Sequence, residues 1–236
     1  MTAIIDVLWL GGTFNAGGEG ISDDFLKRLD PKRFRFCYVP FPADYGREVS
    51  YGESVKAGER ALLNAITACP GAVVIGGYSQ GATIAGNVAA GIHPRSAKVI
   101  GCALIADPLR DGLQTTIGPN PGGYGIGGAR RINTIPTFRV AAWGDPITAL
   151  PAGNYLRTVA DFSEFMGRDV NAWAVNVLSK IVRGQVQPWW RWSNRRDWAE
   201  AGRWLRGYTT DSRHTAAYVT EGLTRQLADA VNRDIR

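Results

Sequence analysis

The run Ala72-Val73-Val74-Ile75-Gly76-Gly77-Tyr78-Ser79-Gln80-Gly81-Ala82-Thr83-Ile84-Ala85 decides how the rest of the chain is read. A short β-branched apolar stretch ends in two glycines, and a small-residue stretch suited to a helix continues to Ala90. Gly77-Tyr78-Ser79-Gln80-Gly81 therefore fits G-x-S-x-G at a sharp turn from strand to helix, the nucleophile-elbow pattern. Glycine is needed on both sides because the turning chain passes too close to strand and helix to admit a Cβ. The first turn of the helix then aims its unpaired N–H groups and positive dipole end at the residue on the turn. Five residues of this kind are a weak signal by themselves. The strand before and the helix after are the context that makes Ser79 a candidate nucleophile, with a tight structural turn as the alternative.

Working outward, the pattern alternates. Ile4 to Leu10 reads as a strand ending in Gly11-Gly12-Thr13, and residues 11 to 20 as a glycine-rich loop. A short helix from Ser22 to Leu29, capped by Ser22 with Asp23 and Asp24 in its first turn, follows. Arg35 to Val39 reads as a strand, Pro40 to Gly46 as an irregular loop, and Val55 to Cys69 as a helix burying Val55, Gly58, Leu62, Leu63 and Ile66. Val99 to Ala106 and Thr137 to Trp143 are two further strands. Strands alternating with helices specify a parallel sheet with right-handed crossovers, whose reactive loops lie at the carboxyl ends of the strands. Gly118 to Gly128 has no regular element and reads as a flexible loop, either bordering a cleft or lying on the surface. After Pro146 the β signal fades. Tyr155 to Met166, Val170 to Val182 and Asp197 to Arg206 read as helices rich in aromatics, with Trp189-Trp190-Arg191-Trp192 the densest cluster. Residues 151–207 are thus expected to form a helical insertion within a single domain of residues 1–236, serving either as a lid or lipid-facing wall or as packing. Thr215 to Val231 reads as a closing helix buried along Ala216, Val219, Leu223, Leu227, Ala230 and Val231.

A serine hydroxyl is a poor nucleophile at neutral pH without a base, and the base needs an acid to hold its tautomer. The chain has two histidines. His93 falls at the far end of the elbow helix, roughly 20 Å from Ser79 at about 1.5 Å per residue. His214 stands in the polar loop ahead of the last helix and is the expected base. The acid should lie between serine and histidine in chain order. Asp107 and Asp145 both end strands and both precede proline. Asp145, on the later strand, is preferred, which leaves Asp107 as a turn-former or a support. The oxyanion donors are expected from the Gln80 backbone N–H and from Gly12-Thr13, Thr13 offering its hydroxyl as well.

Composition narrows the alternatives. The chain has 236 residues, 45% hydrophobic and 20% charged, which suits a globular protein with a full core. No apolar run approaches the length of a membrane span. The opening residues carry no signal-peptide pattern, so the expectation is synthesis without one, and release by another agent if the protein works outside a cell. Cys37, Cys69 and Cys102 fit neither a zinc motif nor a disulfide framework, and Cys37 and Cys102 are expected as buried thiols. The formal charge of +6 could favour an anionic envelope, but no nucleic-acid motif accompanies it. No metal or organic cofactor is called for.

The same residues resemble a known family. Cys69-Pro70-Gly71-Ala72 followed by Gly76 to Ala82 resembles the nucleophile region of cutinases and of the related phage lysin B esterases. Phe41-Pro42-Ala43 with Ser54-Val55 and Gly58 resembles the segment leading to the elbow, and Ala106-Asp107-Pro108 the turn after the next strand. Gly144-Asp145-Pro146 resembles the turn carrying the acid, and His214 the base position. The resemblance spans Thr13 to about Tyr218. It implies a cutinase-like α/β-hydrolase, a three-layer sandwich around a mostly parallel sheet. Secreted cutinases bracket the acid turn with cysteines, where this chain has Ala141 and Thr148. The long tryptophan-rich insertion is more like lysin B. That resemblance implies cleavage of the ester between mycolic acids and arabinogalactan in the actinobacterial envelope during phage lysis, by a protein made in the host cytoplasm and then released; a monomer is expected. The rivals are a general lipase or carboxylesterase and a non-catalytic envelope-binding module.

Overall fold

The computed structural model describes residues 4–15, 20–91, 98–154, 156–157, 160, 202–204, 206 and 210–236. Five strands form one sheet: β1 (Ile5–Leu10), β2 (Phe34–Tyr38), β3 (Val73–Tyr78), β4 (Val99–Ile105) and β5 (Thr137–Val140). Their order is β2-β1-β3-β4-β5, and every pairing is parallel. The helices are α1 (Ile21–Leu26), α2 (Tyr51–Ala68), α3 (Gln80–Gly91), α4 (Ala217–Thr220) and α5 (Leu223–Asp234).

The alternation of strand side chains builds two cores. Val7, Trp9, Val74, Ala103 and Ile105 pack on the face covered by α1, α4 and α5, with Phe25, Tyr218, Leu227 and Val231. Leu8, Leu10, Val73, Ile75, Cys102 and Leu104 point the other way, onto Leu62 and Ile66 of α2 and Ile84 and Val88 of α3. Because both faces are buried, the central strands read as continuous apolar runs. The result is a three-layer α/β sandwich around a parallel sheet, as the resemblance implies. Among the described residues no helix is long and apolar enough to cross a membrane.

Several boundaries differ from the sequence reading. Helix α1 begins at Ile21 after Gly20, so Ser22 is not a cap but a buried residue inside the helix. Helix α2 starts a turn earlier than its apolar periodicity suggests, because Ser50 and Glu53 close a capping box, Ser50 accepting from Glu53 N–H and Glu53 from Ser50 N–H. Leu63, expected in the core, is half exposed. Strand β5 stops at Val140, and Trp143 is 69% exposed. The closing helix is two helices: Gly222 takes a left-handed φ of 71° between α4 and α5. That joint resets the helical phase, so Ala217 and Tyr218 face the core while Ala216 and Val219 turn outward. Cys37 is exposed because β2 is an edge strand, whereas Cys102 is buried. Burial pushes the Cys102 thiol up to about 12. Leu156, Arg157, Ala160, Gly202–Trp204 and Arg206 are helical; the rest of the expected insertion, and the proposed cluster at residues 189–192, lies outside the described residues.

The glycine-rich loop is irregular, as its composition requires, but it is not loose. Tyr124 and Leu150 exchange backbone hydrogen bonds, Ile126 N–H donates to Ile147, Gly127 N–H to Pro108 and Gly125 N–H to Arg110. Buried Arg110 donates to Thr148 O (2.7 Å) and Gly123 O (3.1 Å), and buried Arg157 to Gly125, Tyr124 and Leu150 carbonyls. The loop thus joins the turn after β4 to the turn after β5. A Cβ on Gly125 would collide with the Pro108 carbonyl, while one on Gly71 would meet nothing within 4 Å. Gly125→Ala is expected to destabilise the fold by about 3 kcal/mol in urea unfolding, with Gly71→Ala within about 0.5 kcal/mol of the parent; equal midpoints for the two would contradict the pinning described.

Candidate active site

β3 ends and α3 begins within one residue, at Ser79, whose φ is +55°. A non-glycine residue held there is strained and must be enforced by its surroundings. Ser79 N–H donates to Ile105 O (3.0 Å), and Thr83 N–H donates to Ser79 O (3.0 Å). A Cβ on Gly77 would stand 2.5 Å from Gly81 O, and one on Gly81 2.5 Å from Gly11 O. Only the unsubstituted backbone can make this crossing. Gly81 N–H donates to Gly11 O (3.0 Å), tying the start of α3 to the loop after β1. Among the described residues, the backbone N–H groups of Gln80 and Thr13 donate to no protein acceptor. Gly12 adjoins the serine closely: a Cβ there would lie 3.6 Å from Ser79 Cβ.

The loop before α4 brings His214 to the elbow. His214 Nε2 is 2.9 Å from Ser79 Oγ, and its Nδ1 is 3.0 and 3.1 Å from the two oxygens of Asp145. A carboxylate only accepts, so Nδ1 carries the proton and Nε2 is left to accept from the serine hydroxyl. Asp145 is completely buried and His214 nearly so, while Ser79 is half-buried. Asp145 Oδ1 also accepts Ile147 N–H (2.9 Å), and Oδ2 accepts the Tyr218 hydroxyl (2.6 Å). Tyr78 stacks on the His214 ring at 5.4 Å and donates its hydroxyl to His214 O (2.8 Å). A nucleophile, a base and an orienting acid, with two free N–H donors beside the nucleophile, is the arrangement required for acyl transfer.

The cutinase family profile matches residues 11–150, more than half of the chain. The chain belongs to the cutinase family. As a cutinase-like protein it is an esterase. Solved structures with the same fold include lysin B from Mycobacteriophage D29, with 17% identity, a TM-score of 0.50, and 68% of this chain and 75% of that one covered. A cutinase-like protein from Cryptococcus sp. has 18% identity and a TM-score of 0.50, covering 79% of this chain and 90% of its own. No curated protein matches the sequence.

In this cutinase-family chain, Ser79, Asp145 and His214 meet, and Gly12-Thr13 and Gln80 lie beside them. His93 lies outside the described residues. Asp107 is not near the histidine: it accepts Leu109 N–H in a turn and pairs with Arg130 at 2.6 Å, so it braces the β4 turn. Among the described residues, Thr13 Oγ1 reaches only Gln80 Oε1, at 3.5 Å. Sequence alone assigns no site role to Tyr78, Tyr218 or Asp44. Tyr218 sits one helical turn past His214, a spacing that could have pointed to it. Asp44 gives no such signal; its carboxylate accepts the N–H groups of Tyr45, Arg47, Glu48 and Val49, while its carbonyl accepts Gln80 Nε2 (3.0 Å).

Those four N–H donors outweigh burial and lower the Asp44 carboxyl from 3.8 to about 2. A depressed folded-state value means that the stabilisation is complete above the unfolded value and is lost as pH falls through the folded one. The difference in urea midpoint between parent and Asp44→Ala should therefore hold steady above about pH 5 and narrow between about pH 4 and 2. A difference independent of pH over that range would contradict this.

Proposed function

We propose that this esterase works through Ser79 as nucleophile, His214 as general base and acid, and Asp145 as the group that orients His214, with the N–H groups of Gln80 and Thr13 receiving the oxyanion. The observation that carries this reading is the unbroken chain of hydrogen bonds from Ser79 Oγ through His214 to buried Asp145. Ser79 Oγ attacks the acyl carbonyl as its proton passes to Nε2. The negative charge that develops on the carbonyl oxygen falls to the two free N–H donors. His214 then returns the proton to the leaving alcohol, and a water repeats the sequence to release the acid and regenerate Ser79. The Thr13 hydroxyl, held only by a long contact to Gln80, can turn toward the same oxygen.

We further propose that the ester is the one joining a mycolic acid to arabinogalactan, cleaved in the actinobacterial envelope during phage lysis. Support comes from the 69 positions separating Asp145 from His214, a longer insertion than a compact cutinase has, and from its tryptophan and arginine content. All three cysteines are free, unlike the paired cysteines of secreted cutinases. The general lipase or carboxylesterase reading shares the same chemistry on other esters.

Ser79→Ala and His214→Ala are each expected to lower the hydrolysis of a p-nitrophenyl ester about 10³-fold or more with the circular dichroism unchanged, whereas His93→Ala keeps most of it. Full activity in Ser79→Ala would end the serine mechanism. Purified mycolyl-arabinogalactan should release mycolate, with tributyrin as the control. Cleavage of tributyrin without mycolate release would favour the general esterase, and failure of Ser79 to label with a fluorophosphonate would favour a binding module.

A further inference from the structure

We propose that the Tyr218 hydroxyl is a positioning group of the acid–base pair, holding the Asp145 carboxylate in place and setting the basicity of His214. The inference rests on reading Ser79, His214 and Asp145 as a catalytic unit. Tyr218 touches neither substrate nor the reacting atoms; it acts through Asp145.

The geometry fixes the direction of the bond. The Tyr218 oxygen accepts Ala142 N–H (3.2 Å) and lies 2.6 Å from Asp145 Oδ2. With a donor already pointing at the phenol oxygen and an acceptor-only carboxylate on the other side, the hydroxyl proton is directed to Asp145. The phenol is fully buried, and burial, followed by the neighbouring Asp145 charge, pushes its titration well above the ordinary tyrosine value. The hydroxyl therefore keeps its proton at neutral pH. Asp145 N–H also donates to Ala142 O (3.3 Å), so Tyr218 grips both ends of the turn that presents the carboxylate. Because α4 carries Tyr218 one turn beyond His214, base and positioning group arrive on one short segment.

A hydrogen bond to a carboxylate disperses its charge. Without the hydroxyl, the Asp145 charge bears more strongly on His214 and favours the imidazolium. Other groups surround the pair: Tyr78 from β3 against the ring, Arg110 from the turn after β4 electrostatically coupled to Asp145 and Tyr218, and Arg213 in the loop of His214, paired with Glu221. All of these persist in Tyr218→Phe, so a change in His214 titration is attributable to the lost hydroxyl.

With two histidines in the chain, nitrogen-15 NMR of histidine-labelled protein follows each ring separately. Tyr218→Phe should raise the His214 midpoint and the acid limb of kcat/KM on a p-nitrophenyl ester together, by about half a pH unit. The kcat should fall about tenfold with little change in KM. Tyr38→Phe, which removes a hydroxyl–carboxylate bond from β2 to Asp23 of α1, should move neither. A folded Tyr218→Phe protein whose His214 midpoint, acid limb and kcat all match the parent would overturn the proposal. If Tyr218→Phe does not fold, replacing Tyr218 by a ring-fluorinated tyrosine keeps the shape and strengthens the donor. The His214 midpoint should then fall, and an unmoved midpoint would overturn the proposal. Parent protein without esterase activity, or Ser79→Ala retaining it, would instead sink the esterase reading, while the NMR midpoints still judge Tyr218 on their own.

Discussion

Two backbones occupy one space at the start of α3, and the site depends on that closeness. Gly81 lies so near the carbonyls of Leu10 and Gly11, and Gly77 so near Gly81, that no side chain fits at either position. The crossing forces Ser79 into a left-handed conformation and locks the loop after β1 against the first turn of α3. One contact thereby places Ser79 and the N–H groups of Gln80 and Thr13, which among the described residues donate to no protein acceptor. Electrostatic stabilisation of this kind works because the donors need not reorganise when charge appears. The strain at Ser79 is tolerated because β1, β3, β4 and α3 all bear on it.

Around that point, buried polar groups do what apolar packing cannot. Asp145 has no solvent contact, yet its oxygens accept from an imidazole, a phenol and a backbone amide. Asp44, behind Gln80, is met by four amides. Arg110 and Arg157 bind rows of carbonyls from loops that have no sheet or helix to satisfy them. Burying such groups is favourable only when their partners are in place, so each fixes a single loop conformation. The carboxyl edge of the sheet is irregular in backbone and rigid in connection.

The fold was legible where period and turn chemistry agree. Alternating strands and helices, the two glycines of the elbow and the strand-ending Asp-Pro pairs lead to a parallel sheet with Ser79, Asp145 and His214 along one edge, and that is the arrangement found. What escaped the sequence is contact across long separations. The spacing from His214 hints that Tyr218 lies near the site, but not that its hydroxyl meets a residue 73 positions earlier. Apolar periodicity ran smoothly through Gly222, concealing the joint that turns Tyr218 inward and Val219 outward. Cys37 looked buried because strand composition does not reveal which strand will be an edge. The flexibility suggested by residues 118–128 was overruled by arginines lying outside that stretch.

Asp145 and His214 touch, so the chain that leaves after one returns to the same place before the other. The intervening segment is a detour whose two ends are held together by the sheet, by the glycine-rich loop beneath Leu150 and by the clasp of Tyr78 on His214. Lengthening such a closed detour carries a free-energy penalty that grows only logarithmically. Past Arg157, whose guanidinium the glycine-rich loop needs, a change in its length is therefore inexpensive. The chain can grow or shrink there at little entropic cost to the sheet that joins its two ends.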